Sequence, residues 1–258
     1  MKHTRLVQGV MQAAAALIFG LAVSMSVEAN LIGDVVETGG DNEPTDTITA
    51  KWTGQGWAVT VANEPVPGLL VGDSYTAGLF GSGAPSFVDR AHRYLDDTAN
   101  NLPVPAYLVG GEYIMAGNDN RDNASYRLDV TLSQGAVVYM LIDNRLSDGD
   151  NLTPPTFGPT SMQWILDQGW AATANGLNRF ANPLVPDEVA FDEGADNTIN
   201  QWYSVYQKGF GPGSLSLFQA DNSGRNMYGV VVMIPEPSAL ALLGLGGLGL
   251  AAALRRRR

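Results

Sequence analysis

The chain contains no cysteine and only two histidines, His3 and His92. Without cysteine there is no disulfide, no thiol nucleophile and no thiolate metal ligand, so an exported form depends on its hydrophobic core alone. A serine nucleophile needs a base that takes its proton. Because no histidine follows His92, the sequence gives little support to that type of catalysis.

Basic side chains are scarce over residues 30–234, where 9 lysines and arginines accompany 24 aspartates and glutamates, for a net charge near −15. Such a surface repels nucleic-acid phosphates and anionic lipid. We therefore exclude both as partners of this part of the chain. The excess of carboxylates suits solubility or the binding of a divalent cation.

The first 29 residues have the pattern of a secretory signal peptide. Lys2 and Arg5 form a short positive region, an apolar stretch follows, and residues 27–29 read Val-Glu-Ala. Small or medium apolar residues at these spacings are what a signal peptidase reads before its cut. We predict export by the general secretory route, with cleavage between Ala29 and Asn30.

The last 24 residues form a second distinctive segment, 235–258. It begins with Pro235, Glu236 and Pro237, and residues 239–254 then carry no polar side chain. It ends with Arg255, Arg256, Arg257 and Arg258. An apolar helix of this length spans about 24 Å, and thinning of the bilayer and snorkelling of the arginines compensate for a hydrocarbon core of about 30 Å. The positive-inside rule keeps the arginines in the cytoplasm and the body outside it.

These three features, in this order and at this terminus, resemble the PEP-CTERM sorting tail. The resemblance implies recognition by an exosortase, a membrane transpeptidase-like protease, with cleavage near residues 235–237. It also implies a Gram-negative bacterium that makes extracellular polysaccharide. We therefore expect an inner-membrane intermediate that is delivered to the cell surface or the extracellular matrix.

The body of the chain has the pattern of an all-β protein. Residues 30–46 predict a flexible lead-in, and 47–234 predict one domain. Residues 126–132 alternate between apolar and polar side chains, which is typical of a half-buried strand, and 136–142 are continuously apolar, as in a central strand. Further strands are predicted near 48–52, 57–62, 202–206, 214–217 and 227–233. Their number and spacing favour an antiparallel β-sandwich or jelly roll.

Two stretches fit a helix instead. Phe87, Ala91 and Tyr94 have helical spacing, and residues 162–166 predict a short helical turn.

Several short polar blocks in the body resemble an uncharacterised β-rich domain of PEP-CTERM surface proteins. They are Asp89-Arg90-Ala91-His92, Gly111-Glu112-Tyr113, Asn118-Asp119-Asn120-Arg121, Asp143-Asn144-Arg145 and Asn226-Met227-Tyr228-Gly229. The resemblance covers about residues 80–233. It implies a β-sandwich and no known catalytic residues.

Two kinds of binding residue are candidates in the body. Asp143, Asp148 and Asp150 concentrate carboxylates beside glycine, as calcium ligands do, although such runs are more often solvated turns. Trp170 and Trp202 could stack on sugar rings, although tryptophans are more often core residues. Trp170 follows a glycine and is the tryptophan we expect to be exposed. No cofactor is predicted.

The sequence thus predicts a non-enzymatic, exported protein with a structural or adhesive role in a polysaccharide or biofilm matrix. Its expected partners are a signal peptidase, an exosortase, the inner membrane and extracellular polysaccharide. One alternative is a carbohydrate-binding module, which needs exposed tryptophans. The other is a secreted hydrolase, suggested by Gly72-Asp73-Ser74, although the histidine that such a serine requires is missing.

Overall fold

The computed structural model describes residues 30–39, 49–52, 57–60, 79–87, 90–194, 196–220 and 224–235. These residues form twelve strands and almost no helix. The strands are β1 Ile32–Thr38, β2 Thr49–Trp52, β3 Trp57–Thr60, β4 Arg93–Leu95, β5 Glu112–Met115, β6 Arg127–Leu132, β7 Ala136–Asp143, β8 Ala171–Ala172, β9 Glu188–Asp192, β10 Gln201–Phe210, β11 Gly213–Phe218 and β12 Gly229–Met233. A 3₁₀ turn, Asn118–Asp122, and one short helix, α1 Gln163–Asp167, complete the elements.

The strands form two sheets. The small sheet has the order β1-β6-β11. The large sheet has the order β3-β2-β5-β12-β7-β10-β9-β4, and β8 pairs with β10 beside it. Every pairing between these strands is antiparallel. The predicted class, mostly β with antiparallel strands, is confirmed.

The two clearest strand predictions, for residues 126–132 and 136–142, agree with the burial of the strands in the structure. On β6, Leu128, Val130 and Leu132 are buried while the residues between them face outward. Strand β7 lies between β12 and β10 near the middle of the large sheet, which explains its continuous apolar run. One cluster of buried side chains contains residues of both sheets, so they share a hydrophobic core.

The helix predicted from Phe87, Ala91 and Tyr94 is wrong, because Arg93–Leu95 is strand β4 at the edge of the large sheet. The ring of Tyr94 is fully buried, with its centroid 5.3 Å from that of Phe191. A single fully buried residue on a short strand gives no period-2 signal, so tertiary packing overrides the local pattern. The other helical prediction is confirmed by α1.

The expected flexible lead-in is also corrected in part, because its residues 32–38 form strand β1. This strand pairs with β6 and buries Ile32 completely. The glycines and acidic residues of the segment weaken its strand pattern, and its pairing with β6 is a long-range contact that local reasoning does not detect.

The large sheet has two ends that differ in what lies at them. Strands β10 and β12 finish at one end, where β7 begins, and we call this the tail end because Ile234 and Pro235 leave from it. Strands β5, β7 and β9 finish at the opposite end, which we call the far end.

Candidate functional site

The segment 234–258 leaves the body directly from a central strand. Strand β12 lies between β5 and β7, and its Val231 and Val232 are completely buried. Only Ile234 separates the last residue of this strand from Pro235, and both Ile234 and Pro235 are exposed. The sequence-predicted motif residues Glu236 and Pro237, and the four terminal arginines, lie outside the described residues. Ala29 also lies outside the described residues, and Asn30 is the first described residue.

A groove of about 280 Å³ adjoins this exit. Its lining residues are Tyr107, Val137, Tyr139, Thr173, Asn175, Gln207, Met233, Ile234 and Pro235. None of these residues is charged. The first two residues of the segment therefore form part of the wall of a neutral groove on the body.

Tyr107 is fixed in the groove by specific contacts. Its hydroxyl donates to Oδ2 of the fully buried Asp187 at 2.9 Å and lies 3.0 Å from Thr173 Oγ1. Its ring lies 5.2 Å from that of Tyr139, measured between centroids. Burial raises the pKa of Tyr107 well above its ordinary value, so the hydroxyl stays protonated. The groove has an ordered aromatic wall.

The beginning of the described chain is held at the same end of the large sheet. Glu112 on β5 accepts the backbone N–H of Leu31 at Oε1 (2.6 Å) and that of Ile32 at Oε2 (2.7 Å). Glu112 is itself paired with Val232 of β12. The carboxylate therefore joins the start of the small sheet to the strand that leads into the sorting segment. Sequence reasoning missed this role, although an acidic residue directly before the apolar run 113–116 was a signal for it.

The far end carries a network of charged and amide side chains. Arg145 donates to Asp143 Oδ2 at 2.6 Å and to Glu193 Oε1 at 2.9 Å. Asn226 donates to the same Glu193 oxygen at 2.8 Å, and Asn118 donates to Asn226 Oδ1 at 3.2 Å. Three of the polar blocks identified in the sequence, at 118–121, 143–145 and 226–229, thus meet in space.

The pKa of Glu193 reflects this network. Burial alone would raise it, but the hydrogen bond from Asn226 and the positive charge of Arg145 outweigh burial and lower the pKa below its ordinary value. Asp119 behaves in the same way, because hydrogen bonds from Arg121 and Arg90 oppose the effect of its burial. These carboxylates are held ionised in ion pairs, which suits a structural network better than acid–base catalysis.

His92 lies beside this network but has no arrangement for catalysis among the described residues. Its ring packs against Phe87 and Phe191, with centroids 5.9 and 5.5 Å away, and Nδ1 is buried without a hydrogen-bond partner there. Burial lowers the pKa of His92, an effect that nearby Glu193 partly opposes. A half-buried, neutral imidazole packed against two aromatic rings contributes to packing rather than to acid–base chemistry.

The candidate calcium ligands make other contacts in the structure. Asp143 is completely buried and is paired with Arg145. Asp148 accepts the backbone N–H of Asp150, and Asp150 accepts that of Leu152, both at 2.8 Å, as in ordinary Asx turns. Within the described ranges, no group of three or more histidine, aspartate or glutamate side chains is placed to hold a metal ion.

The candidate sugar-binding tryptophans are buried. Trp170 is 6% exposed, so the expectation that it faces solvent is wrong, because its ring packs against that of Phe210. Trp202 is 7% exposed and borders a cleft of about 480 Å³, but the guanidinium carbon of Arg179 lies 4.9 Å from its ring centroid. Neither ring offers a free face on which a sugar could stack.

The sorting segment is the part of the chain with recognised relatives. Residues 234–258 match the family model of the PEP-CTERM protein-sorting motif. The motif indicates an exported protein that is sorted by an exosortase and carried across the membrane to the cell surface. No curated protein and no solved structure matches the chain. Among the described residues, none of the helices has the length and apolar character that a membrane crossing requires.

Proposed function

We propose that the protein is a non-enzymatic component of the cell surface, whose body is displayed in an extracellular polysaccharide or biofilm matrix after an exosortase has cut its tail. The observation that carries the proposal is the PEP-CTERM motif, whose match begins at Ile234, directly after the central strand β12. A sorting signal joined so closely to the core makes the folded body the cargo that is delivered.

The body supports a structural or adhesive role through its construction. Both sheets contribute to one core, which favours a β-sandwich of the kind found in many cell-surface domains. The net charge near −15 keeps such a domain soluble outside the cell. Asp143, Glu193 and Asp119 are engaged in ion pairs, which suits a structural role for these three carboxylates better than the acid pair of a glycoside hydrolase.

The experiment that tests this function is intact-mass spectrometry of the protein recovered from the cell surface and from the medium. We expect an N-terminus at Asn30 and a C-terminus at or near residues 235–238, and we expect the C-terminal cut to disappear when the exosortase is deleted. A surface protein that still carries Arg258 would contradict the proposal and would indicate a permanent membrane anchor.

A further inference from the structure

The distance between the folded body and the apolar stretch is short. Four residue steps lead from Pro235, the last described residue, to Ala239, where the stretch 239–254 begins. Fully extended, four steps span at most about 14 Å. The headgroup region of a bilayer occupies about 5–7 Å on each side, which leaves roughly 8 Å between the body and the membrane surface.

This gap is too narrow for a layer of protein. A single α-helix with its side chains is about 10–12 Å across. An enzyme that cuts the chain between Pro235 and Ala239 therefore has no room to pass between the body and the membrane. The part of such an enzyme that binds the motif therefore lies beside the tail end of the body.

The surface that such an enzyme meets at the tail end carries no charged side chain in its groove. The groove at the tail end is lined by uncharged side chains, including Tyr107, Tyr139 and Gln207, in a body whose net charge is near −15. Interface cores are depleted in charge and enriched in tyrosine. Because Ile234 and Pro235 are part of the groove wall, a partner that binds the beginning of the motif also contacts the body.

The beginning of the chain supports the same orientation. Leu31 and Ile32, which follow the predicted signal-peptidase site, are held by Glu112 at the tail end of the sheet. Both membrane-directed ends of the precursor thus leave from one end of the body. The tail end faces the membrane before the cuts, and the far end points away.

We propose that the tail-end groove is the docking surface for the exosortase, so that the enzyme recognises the PEP-CTERM motif together with the folded body. This inference rests on the proposed function, since it requires an exosortase substrate. It adds a second recognition element, formed by the body, to the linear motif.

A spacer variant of the full-length protein tests the proposal. Inserting six residues of glycine and serine between Met233 and Ile234 leaves β12 and the motif-to-membrane spacing unchanged but separates the motif from the groove. Processing is followed in the native host by pulse-chase labelling and intact mass. We expect the rate of cleavage to fall by about tenfold, which corresponds to 1.4 kcal/mol of lost contact.

A pair of point variants locates the contact. Gln207→Lys adds a positive charge to the groove, and Gln163→Lys makes the same change on α1, outside the groove. Both glutamines are half-buried, which makes the second a matched control. We expect Gln207→Lys to slow cleavage several-fold and Gln163→Lys to leave it unchanged, with limited proteolysis verifying that both variants fold.

Each outcome decides the question. Unchanged or faster cleavage of the spacer variant would overturn the proposal, because the body would then be irrelevant or an obstacle. Equal effects of the two lysine variants would overturn the assignment to the groove. If the unaltered protein shows no exosortase-dependent cut, the proposed function fails as well. A normal cut in the unaltered protein with no spacer effect refutes the docking surface alone.

Discussion

The tail end and the far end of the large sheet carry different kinds of side chains. At the tail end, a neutral groove surrounds the exit of the sorting segment, and one carboxylate, Glu112, ties the two sheets together. At the far end, Asp143, Arg145 and Glu193 form ion pairs within a network of amides. The far end therefore carries paired charges, whereas the side chains that line the groove are uncharged.

The difference suggests that the two ends can be changed independently. Substitutions at the far end should lower the stability of the body without altering recognition of the sorting segment. Substitutions in the groove should alter processing while leaving stability close to that of the unaltered protein. Four changes test or refine this separation.

Arg145→Met should have the largest effect on stability. It leaves the carboxylate of Asp143, which is 1% exposed, buried without its partner. Removing one member of a buried ion pair costs about 3–5 kcal/mol. We expect a loss of this size in urea denaturation of the body.

The double variant Arg145→Met with Asp143→Asn provides the control, because it removes the unpaired charge and should recover part of the loss. Exosortase cleavage of folded molecules of Arg145→Met should proceed at the normal rate. A slower cut in molecules shown to be folded would mean that the two ends are coupled.

Glu112→Gln examines the tail end. The amide nitrogen that replaces one oxygen cannot accept the N–H of Leu31 or Ile32, so one buried donor loses its partner. We expect a loss of about 2 kcal/mol. Hydrogen exchange at Leu31 and Ile32 should also become faster than elsewhere in β1.

The matched control is Asp34→Asn on the same strand, where the carboxylate is exposed. It should change stability by less than about 0.5 kcal/mol. Equal losses of stability in the two variants would show that the hydrogen bonds to Glu112 do not stabilise the start of β1.

Gly229→Ala should have a comparable effect, again at the far end. A Cβ at this position would lie 2.3 Å from the hydroxyl oxygen of Tyr94 and 3.5 Å from Leu141 Cδ1. Tyr94 is fully buried and has little room to move, so we expect a loss of about 1–3 kcal/mol from overpacking.

Tyr94→Phe removes the clashing oxygen. In the Tyr94→Phe background, Gly229→Ala should therefore cost clearly less than it does alone, which a double-mutant cycle measures. Additive losses of stability would show that the steric clash involves another side chain, for example Leu141.

What could be predicted from the sequence depended on the range of the interactions. The sorting motif was predictable because its Pro-Glu-Pro, apolar stretch and arginines are contiguous, and the family match confirms the motif. Strands β6 and β7 were predictable because alternation or continuous apolarity within one strand reports its burial.

Other features depend on partners far away in the chain. Strand β4 was missed because Tyr94 packs against the distant Phe191, and β1 was missed because it pairs with β6. The polar blocks at 118–121, 143–145 and 226–229 were noticed individually. Their convergence follows from the order of β5, β12, β7 and β10 in the sheet, which local patterns do not encode.

His92 supplies the smallest expected effect and a test of the far end by pH. Burial lowers its pKa below the ordinary value of 6.5, so the folded state favours the neutral ring. A group whose folded pKa is depressed contributes stability above its unfolded pKa, and this contribution is lost as pH falls through the folded pKa. The free energy of unfolding should therefore decrease as pH is lowered below about 6.5.

His92 is the single histidine of residues 30–258, so its substitution isolates this contribution. In His92→Gln, stability should vary less with pH between 6.5 and the onset of carboxylate titration than in the unaltered body. The charges around the ring are Glu193, Asp192, Arg90 and Arg145, and they remain in the variant. An unchanged pH slope would mean that the ring stays accessible enough to be protonated in the folded state, and that the far end is more open than its packing against Phe87 and Phe191 indicates.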